Sequence, residues 1–175
     1  RRSLALAGRE RADGLVADLG ASRYQLTDPH RGFSFTVSGP LDMRMSRAQT
    51  TTAADIVNYA AEHELSDLIW RLGQERRGRR IARAIVRGRP VTTTGQLAGI
   101  VESAVPRTGR LHPATRTFMA LRLAVNSELE ELDALLGQLP ALVKAGGRAI
   151  VLAFTSLEDG KAKSALRDLA RSGRA

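Results

Sequence analysis

Cysteine and long apolar runs are both missing from this 175-residue sequence, and each absence excludes a class of protein. Without cysteine there can be no disulfide bonds and no thiolate metal sites, and a reducing compartment is permitted. No apolar run approaches the roughly 20 residues needed to span a bilayer, and the segment 1–8 is too short for a signal peptide. A cytoplasmic location is therefore the default expectation.

Aromatic residues and recognisable catalytic motifs are also scarce. Aromatic residues make up 4% of the sequence, which argues against a single-strand binding platform built on repeated base stacking. The three histidines are scattered and lack the spacing of metal ligands, so no metal site is predicted. The sequence contains no phosphate-binding loop, no dinucleotide-binding glycine motif, no nucleophile elbow and no kinase motif.

The charge balance of the chain is strongly positive. Lysine and arginine number 27 against 18 carboxylates, which gives a formal net charge of +9 and a pI near 11.2. Such an excess of cationic side chains favours polyanionic partners, nucleic acid above all. The alternative is a solvated basic surface with no specific partner.

Two short apolar segments, 14–20 and 149–154, are typical of buried strands. The first contains Asp18, and the second follows a helix-stop signal at 146–147. Because helical patterns separate them, we expect a parallel pair in an α/β fold, in which ligands bind at the carboxyl ends of the strands. Asp18 is therefore either a ligand-binding carboxylate or a helix or turn cap.

Helical patterns fill most of the sequence between these strands. Residues 31–45 have no helical period and are interpreted as a partly buried lid or linker. Thr51 or Thr52 can cap a helix over 53–60. The helices that follow could form a small bundle. Apolar residues at helical spacing indicate one helix that ends at Gly73, with Leu65, Leu68, Ile69 and Leu72 on one face. They indicate another helix over 94–104, with Leu97, Ile100, Val101 and Ala104 on its inner face.

A long crossover helix is predicted to begin at Pro113 and to lead to the second strand. Its buried side comprises Phe118, Leu121, Val125, Leu129, Leu132 and Leu136.

The segment 74–87 predicts an amphipathic helix with a basic face. At 100° per residue its apolar face carries Ile81 and Ile85. The opposite stripe consists of Arg76, Arg80, Arg83 and Arg87. Because carboxylates are nearly absent from the helix, we favour phosphate contact for this stripe, and simple solvation is the alternative.

Three other polar residues admit both a chemical and a structural interpretation. His112 precedes Pro113 and suggests catalysis, although a histidine at a helix start is more often a cap or a packing group. Glu158 and Asp159 follow the second strand and could bind a ligand or cap the last helix.

Eight ordered motifs resemble the bacterial ribosomal small-subunit RNA (cytosine-N4)-methyltransferases. The similarity runs through nearly the whole chain with family-like spacing. The motifs are Asp18-Leu19-Gly20, Gln25-Leu26, Arg31 to Phe35, Gly39 to Met45, Thr52 to Asn58, Arg79 to Val86, His112 to Phe118 and Ser156 to Asp159.

The resemblance implies a partial Rossmann-like methyltransferase fold that uses S-adenosylmethionine and is interrupted by an all-helical RNA-recognition domain. The methyltransferase core would comprise 1–30 and 112–175, and the inserted domain 31–111. The implied substrate is a decoding-site cytosine of 16S rRNA in the small ribosomal subunit.

The resemblance also implies roles for individual residues. Asp18 and Gln25 match positions that contact the cofactor. Asp18 or Ser22 could orient the cytosine amino group for methyl transfer, after the base has been unstacked into the site.

The sequence departs from the family pattern near these positions. Arg23 and Tyr24 stand where the family usually has a serine and a proline, and Ser46 replaces an aspartate. The family's glycine-rich cofactor loop and its closing strands are expected outside the range 1–175. We therefore expect weak cofactor binding or none from this chain alone, and the alternative function is a non-catalytic rRNA-binding module.

Overall fold

The computed structural model describes residue 4 and residues 8–107 and 109–172. These residues fall into two compact units. The sheet unit contains the described residues up to Gly20 and those from Glu128 onward, and the helical unit contains Ala21–Ser127. Each unit has its own apolar cluster.

The sheet unit contains two parallel strands, β1 (Ala12–Asp18) and β2 (Val143–Leu152). In their register Leu15 lies opposite Ala149 and Asp18 opposite Leu152. The predicted parallel pair is thus confirmed. The expected helix stop at 146–147 is wrong, because β2 begins before these glycines and runs through them.

One face of the sheet is covered by α7 (Glu128–Leu142) and α8 (Ser156–Arg171). The covering cluster consists of Leu132, Leu136, Leu139, Ala165 and Leu169, against Leu15, Leu19, Ala149 and Val151 of the sheet. Side chains on the other face remain accessible, with Val16 68% and Ile150 54% exposed. The expectation of buried strands is therefore wrong for this face, because the described residues supply helices to the other face only.

The helical unit is built from short helices around a continuous apolar core. They are α1 (Arg23–Thr27), a 3-10 turn (Pro29–Arg31), α2 (Ala53–Tyr59), α3 (Glu62–Gly73), α4 (Gly78–Arg87), α5 (Thr94–Ala104) and α6 (Thr115–Val125). Helix α3 packs against both α4 and α6. Thr52 caps α2, as predicted, by accepting a hydrogen bond from the backbone N–H of Asp55.

The segment 31–45 is irregular, as predicted, but it contributes to the core of the helical unit. Phe33, Leu41 and Met43 are buried in the same cluster as the helices. The interpretation as a lid is therefore wrong. Apolar side chains at irregular spacing can join a core as well as those on a helix, because burial depends on packing and not on periodicity.

The predicted long crossover helix is two helices, α6 and α7, separated at Asn126 and Ser127. Ser127 adopts a positive φ of 48°, which ends the helical path. The Asn126 side chain accepts a hydrogen bond from the backbone N–H of Met45 (2.7 Å) and donates to the carbonyl of Met43 (2.8 Å). The helical unit therefore includes α6 and ends at Ser127, whereas the sequence-based domain boundary was placed between residues 111 and 112.

Candidate functional site

The carboxyl end of β1 presents an exposed carboxylate. Asp18 is the last residue of the strand, and the backbone N–H of Leu19 still bonds to the carbonyl of Leu152 (3.2 Å). Gly20 then turns the chain with a φ of 92°. Within the described part of the chain, the Asp18 carboxylate has no hydrogen-bond or ion-pair partner, so it is available to accept from a ligand.

Ser22 and Gln25 lie together at the start of α1, where they form a capping box. The Ser22 hydroxyl oxygen accepts a hydrogen bond from the backbone N–H of Gln25 (3.3 Å). In return, Gln25 Oε1 accepts from the backbone N–H of Ser22 (2.9 Å). The spacing Ser-x-x-Gln is the sequence signature of this motif, and this signal could have predicted the cap. Both side chains have a structural role, and the Gln25 amide N–H groups remain able to donate.

The basic face predicted on 74–87 is present over part of its length. Helix α4 begins at Gly78, because Gln74 adopts a left-handed conformation and ends α3. Arg76 therefore lies in the connecting turn, and its predicted place on the helical stripe is wrong. Ile81 and Ile85 are fully buried on the opposite face, as predicted.

The arginines of α4 differ in their partners. Arg83 Nε lies 3.4 Å from Glu62 Oε1 of α3. Arg80 and Arg87 are exposed and have no acidic partner among the described residues. The predicted scarcity of carboxylates holds within α4, but a neighbouring helix offsets one of its charges. Arg79 is also exposed, and the sequence-based stripe did not include it.

The structural interpretations of His112 and Glu158 are confirmed. The His112 ring packs against Phe35, with ring centroids 4.6 Å apart, and its Nδ1 accepts from the backbone N–H of Ala114 (3.2 Å). Glu158 is 3% exposed and accepts from the backbone N–H groups of Phe154 (3.0 Å) and Thr155 (2.9 Å). It therefore caps α8.

Asp42 and Arg44 form an ion pair within the irregular segment 39–45. Asp42 accepts from Arg44 Nε (2.7 Å) and Nη2 (2.8 Å), and Arg44 Nη1 donates to the carbonyl of Gln49 (2.7 Å). The Arg44 guanidinium holds the pKa of Asp42 below its usual value. An open cavity of about 230 Å³ beside this pair is lined by His30, Arg31, Asp42, Arg44 and Arg47.

The described residues contain neither a metal-binding cluster nor a membrane-spanning helix. No group of three or more histidine, aspartate or glutamate side chains there is arranged to hold a metal ion. No helix in that part of the chain is both long and apolar enough to cross a membrane.

Comparison with known proteins places the chain in a family. The sequence pattern of the MraW methylase family matches residues 2–174. A protein of Solibacter usitatus named "Ribosomal RNA small subunit methyltransferase H" is 60% identical over 169 residues, which cover 97% of this chain and 59% of the relative. A protein of the same name from Acidobacterium capsulatum is 56% identical, over 92% of this chain and 55% of the relative.

The α/β fold with its small parallel sheet is consistent with a methyltransferase that uses S-adenosylmethionine. Because the family pattern covers nearly the whole chain, the chain belongs to the MraW methylase family. It spans a little over half the length of the curated relatives described above.

Proposed function

We propose that this chain is part of an enzyme that methylates N4 of a decoding-site cytosine in 16S rRNA, with S-adenosylmethionine as the methyl donor. The observation that carries this proposal is the exposed carboxylate of Asp18 at the end of a parallel strand, which has no partner among the described residues. Support also comes from relatives named ribosomal RNA small subunit methyltransferase H. The partner would be the small ribosomal subunit, and the enzyme would act in the cytoplasm.

The carboxylate at this end of the strand fits a cationic nucleoside cofactor. The Asp18 carboxylate is a hydrogen-bond acceptor with negative charge, which suits hydroxyl, ammonium or sulfonium groups. The Gln25 amide retains N–H donors although its oxygen is engaged in the capping box. Asp18 would hold S-adenosylmethionine, which supplies an electrophilic methyl group when it is bound. Gln25, in the helical unit, is proposed as a cofactor contact only from the family position that it matches.

Asp18 is also the better candidate to position the reacting base. The amino nitrogen of cytosine is a poor nucleophile because its lone pair is delocalised into the ring. A carboxylate that accepts a hydrogen bond from this amino group would fix its orientation and lower the barrier by positioning. Ser22 is less suited to this role because its hydroxyl is uncharged, and its oxygen already accepts from the backbone N–H of Gln25 as the cap of α1.

The helical unit would bind the RNA that surrounds the target base. Its exposed arginines on α4 can contact phosphates, and phosphate contacts orient an RNA without reading its sequence. The target cytosine would have to leave its stack to reach Asp18. In this proposal the helical unit is the substrate-recognition domain inserted into a partial Rossmann-like core.

A chimera tests the assignment of Asp18. This chain would replace the matched segment of the Solibacter usitatus relative, and methyl transfer to unmethylated small subunits would be measured. We expect the Asp18→Asn chimera to show about 100-fold lower kcat, because a neutral amide oxygen is a weaker acceptor for the amino group than a carboxylate and orients it less well, with unchanged affinity for rRNA. Ser22→Ala is the matched variant, and we expect it to cost about 1 kcal/mol of stability through loss of the cap, with kcat within about tenfold of the parent. The reverse order of the two kcat values would contradict the assignment of Asp18.

The alternative function is a non-catalytic rRNA-binding module. The apolar core of the helical unit and the use of Ser22 and Gln25 as a cap favour this alternative. Calorimetry with S-adenosylmethionine and the chimera separates the two. Cofactor binding that is lost in Gln25→Ala supports the enzyme, and absence of binding by a folded chimera supports the module.

A further inference from the structure

Trp70 is the only tryptophan of the chain, and its side chain lies largely in solvent. It is 58% exposed at the surface of α3, while Leu65 and Ile69 on the inner side of the same helix are fully buried. Keeping a large indole ring in water forgoes the stabilisation that its burial would give. The core of the helical unit therefore does not account for a tryptophan at this position.

A groove adjoins the exposed ring where α4 begins. It is open to solvent, has a volume of about 420 Å³, and is lined by Ser66, Asp67, Trp70, Arg76, Gly78 and Arg79. A Cβ atom added to Gly78 would lie 2.8 Å from the carbonyl oxygen of Ser66 and 3.3 Å from the backbone nitrogen of Trp70. The start of α4 thus packs directly on α3, and this contact brings the arginines of the turn and of α4 next to the indole.

The charges around the groove distinguish between possible occupants. Arg76 and Arg79 are exposed and have no acidic partner within the described ranges. They can contact phosphates on either side of a base that stacks on Trp70. Asp67 at the rim can accept a hydrogen bond from the exocyclic amino group of a base, whereas it would repel an acidic peptide.

We propose that the groove beside Trp70 binds an unpaired nucleobase of RNA, with Arg76 and Arg79 on the flanking phosphates. This inference rests on the proposed function, because it assigns a nucleotide-binding position to the helical unit. The groove belongs to the helical unit, and the role proposed for it is to hold the RNA.

The fluorescence of the single tryptophan reports directly on this contact. The 175-residue chain would be titrated with an oligoribonucleotide from the decoding region of small-subunit rRNA, in single-stranded and in fully paired form. We expect the single strand to quench Trp70 because a base stacks on the indole. We expect the duplex to bind through its phosphates without quenching, because its bases are already stacked.

Variants separate stacking from charge. Trp70→Ala should weaken single-strand binding about tenfold without changing the dependence of affinity on salt, and Trp70→Phe should restore most of the loss. Arg79→Ala should lower the slope of log affinity against log salt by about one. Tyr59 is 84% exposed and does not line the groove, so Tyr59→Ala is the matched control and should leave affinity unchanged.

The outcomes distinguish a failure of this inference from a failure of the proposed function. If the single strand binds Trp70→Ala as tightly as it binds the parent, and leaves the Trp70 fluorescence of the parent unchanged, the groove is not a base site, although the chain still binds rRNA. If neither RNA form binds the parent chain, the RNA-binding role of the helical unit fails as well. Equal quenching by an acidic peptide would overturn the assignment of a nucleobase.

Discussion

Single ionised side chains stabilise the irregular segment that precedes α2. The Asp42 carboxylate receives three hydrogen bonds from Arg44, two from the guanidinium and one from the backbone N–H. Asp55 accepts from the hydroxyl and the backbone N–H of Thr52, and the hydroxyl contact is the main cause of its lowered pKa. Both carboxylates therefore stabilise the fold in their ionised form.

Asp42→Asn should lower the free energy of unfolding of the helical unit by about 1–3 kcal/mol near neutral pH. The variant retains the size of the side chain but loses its charge-assisted bonds to Arg44. Urea unfolding followed by Trp70 fluorescence measures this unit, and Asp168→Asn on α8 is a control with no expected effect. A change below about 0.3 kcal/mol would contradict the stabilising role of the ion pair.

The pH dependence of the same variant follows from the direction of the pKa shift. Because the pKa of Asp42 is lower in the folded chain than the ordinary value of 3.8, its ionisation stabilises the fold fully above that value. The stabilisation is lost as the pH falls through the lower pKa of the folded state. The stability difference between the parent and Asp42→Asn should therefore be constant at neutral pH and decrease in acid below that value.

Asn126→Ala should lower the free energy of unfolding by about 2–3 kcal/mol. The substitution leaves the half-buried N–H of Met45 and the buried carbonyl of Met43 without their partner. Urea unfolding measures the loss, and Ser127→Gly is the neighbouring control. Because glycine adopts the positive φ of this position without strain, the control should remain within about 1 kcal/mol of the parent.

At the scale of helices and strands, local signals determine how well the sequence predicts the structure. The helix over 94–104 is found with the predicted bounds, because it is capped by Thr93 and ends before Pro106. The prediction of one long crossover helix is wrong, because two helices form. All six residues predicted on its inner side are nevertheless buried. The apolar period continues across Asn126 and Ser127, and periodicity reports which side chains are buried but not whether the chain bends between them.

The candidate site was predictable only in part, for a related reason. A carboxylate at the end of an apolar run predicts Asp18 at the end of a strand, because strand ends follow local patterns. The groove at Trp70 depends on the close contact of α3 with Gly78, which is tertiary packing. The pairing of Arg83 with Glu62 likewise joins two helices and has no signal within either one.

Double charge reversal on α4, Arg80→Glu with Arg83→Glu, should weaken RNA binding and lower its salt dependence. The slope of log affinity against log salt should fall by about two, because two phosphate contacts are lost. A filter-binding titration measures this slope. The matched control reverses Arg167 and Arg171 on α8, which changes the net charge equally and should leave the slope nearly unchanged.

Single substitutions refine the same test. Arg80 has no acidic partner among the described residues, whereas Arg83 is paired with Glu62. We therefore expect Arg80→Ala to lower the slope more than Arg83→Ala does. An unchanged slope in the double variant would assign these arginines to a solvated surface.

At the scale of the whole chain, the protein has a net charge of +9. Its described residues form two units, each with its own packing. The sequence predicted a core interrupted by a helical domain, with boundaries at 30/31 and 111/112. The structure divides the chain at 20/21 and 127/128. The second boundary lies at 127/128 and not at 111/112 because Phe118 and Leu121 of α6 are buried in the core of the helical unit.

The most direct test of the account is the chemical identity of the methylated product. The chimera with the Solibacter usitatus relative would be incubated with unmethylated small subunits and labelled S-adenosylmethionine, and the nucleosides of the 16S rRNA would be separated by mass spectrometry. The account predicts label in a cytidine methylated at N4, with about 100-fold slower appearance in the Asp18→Asn chimera. Label at another atom, or equal rates in the two chimeras, would contradict it.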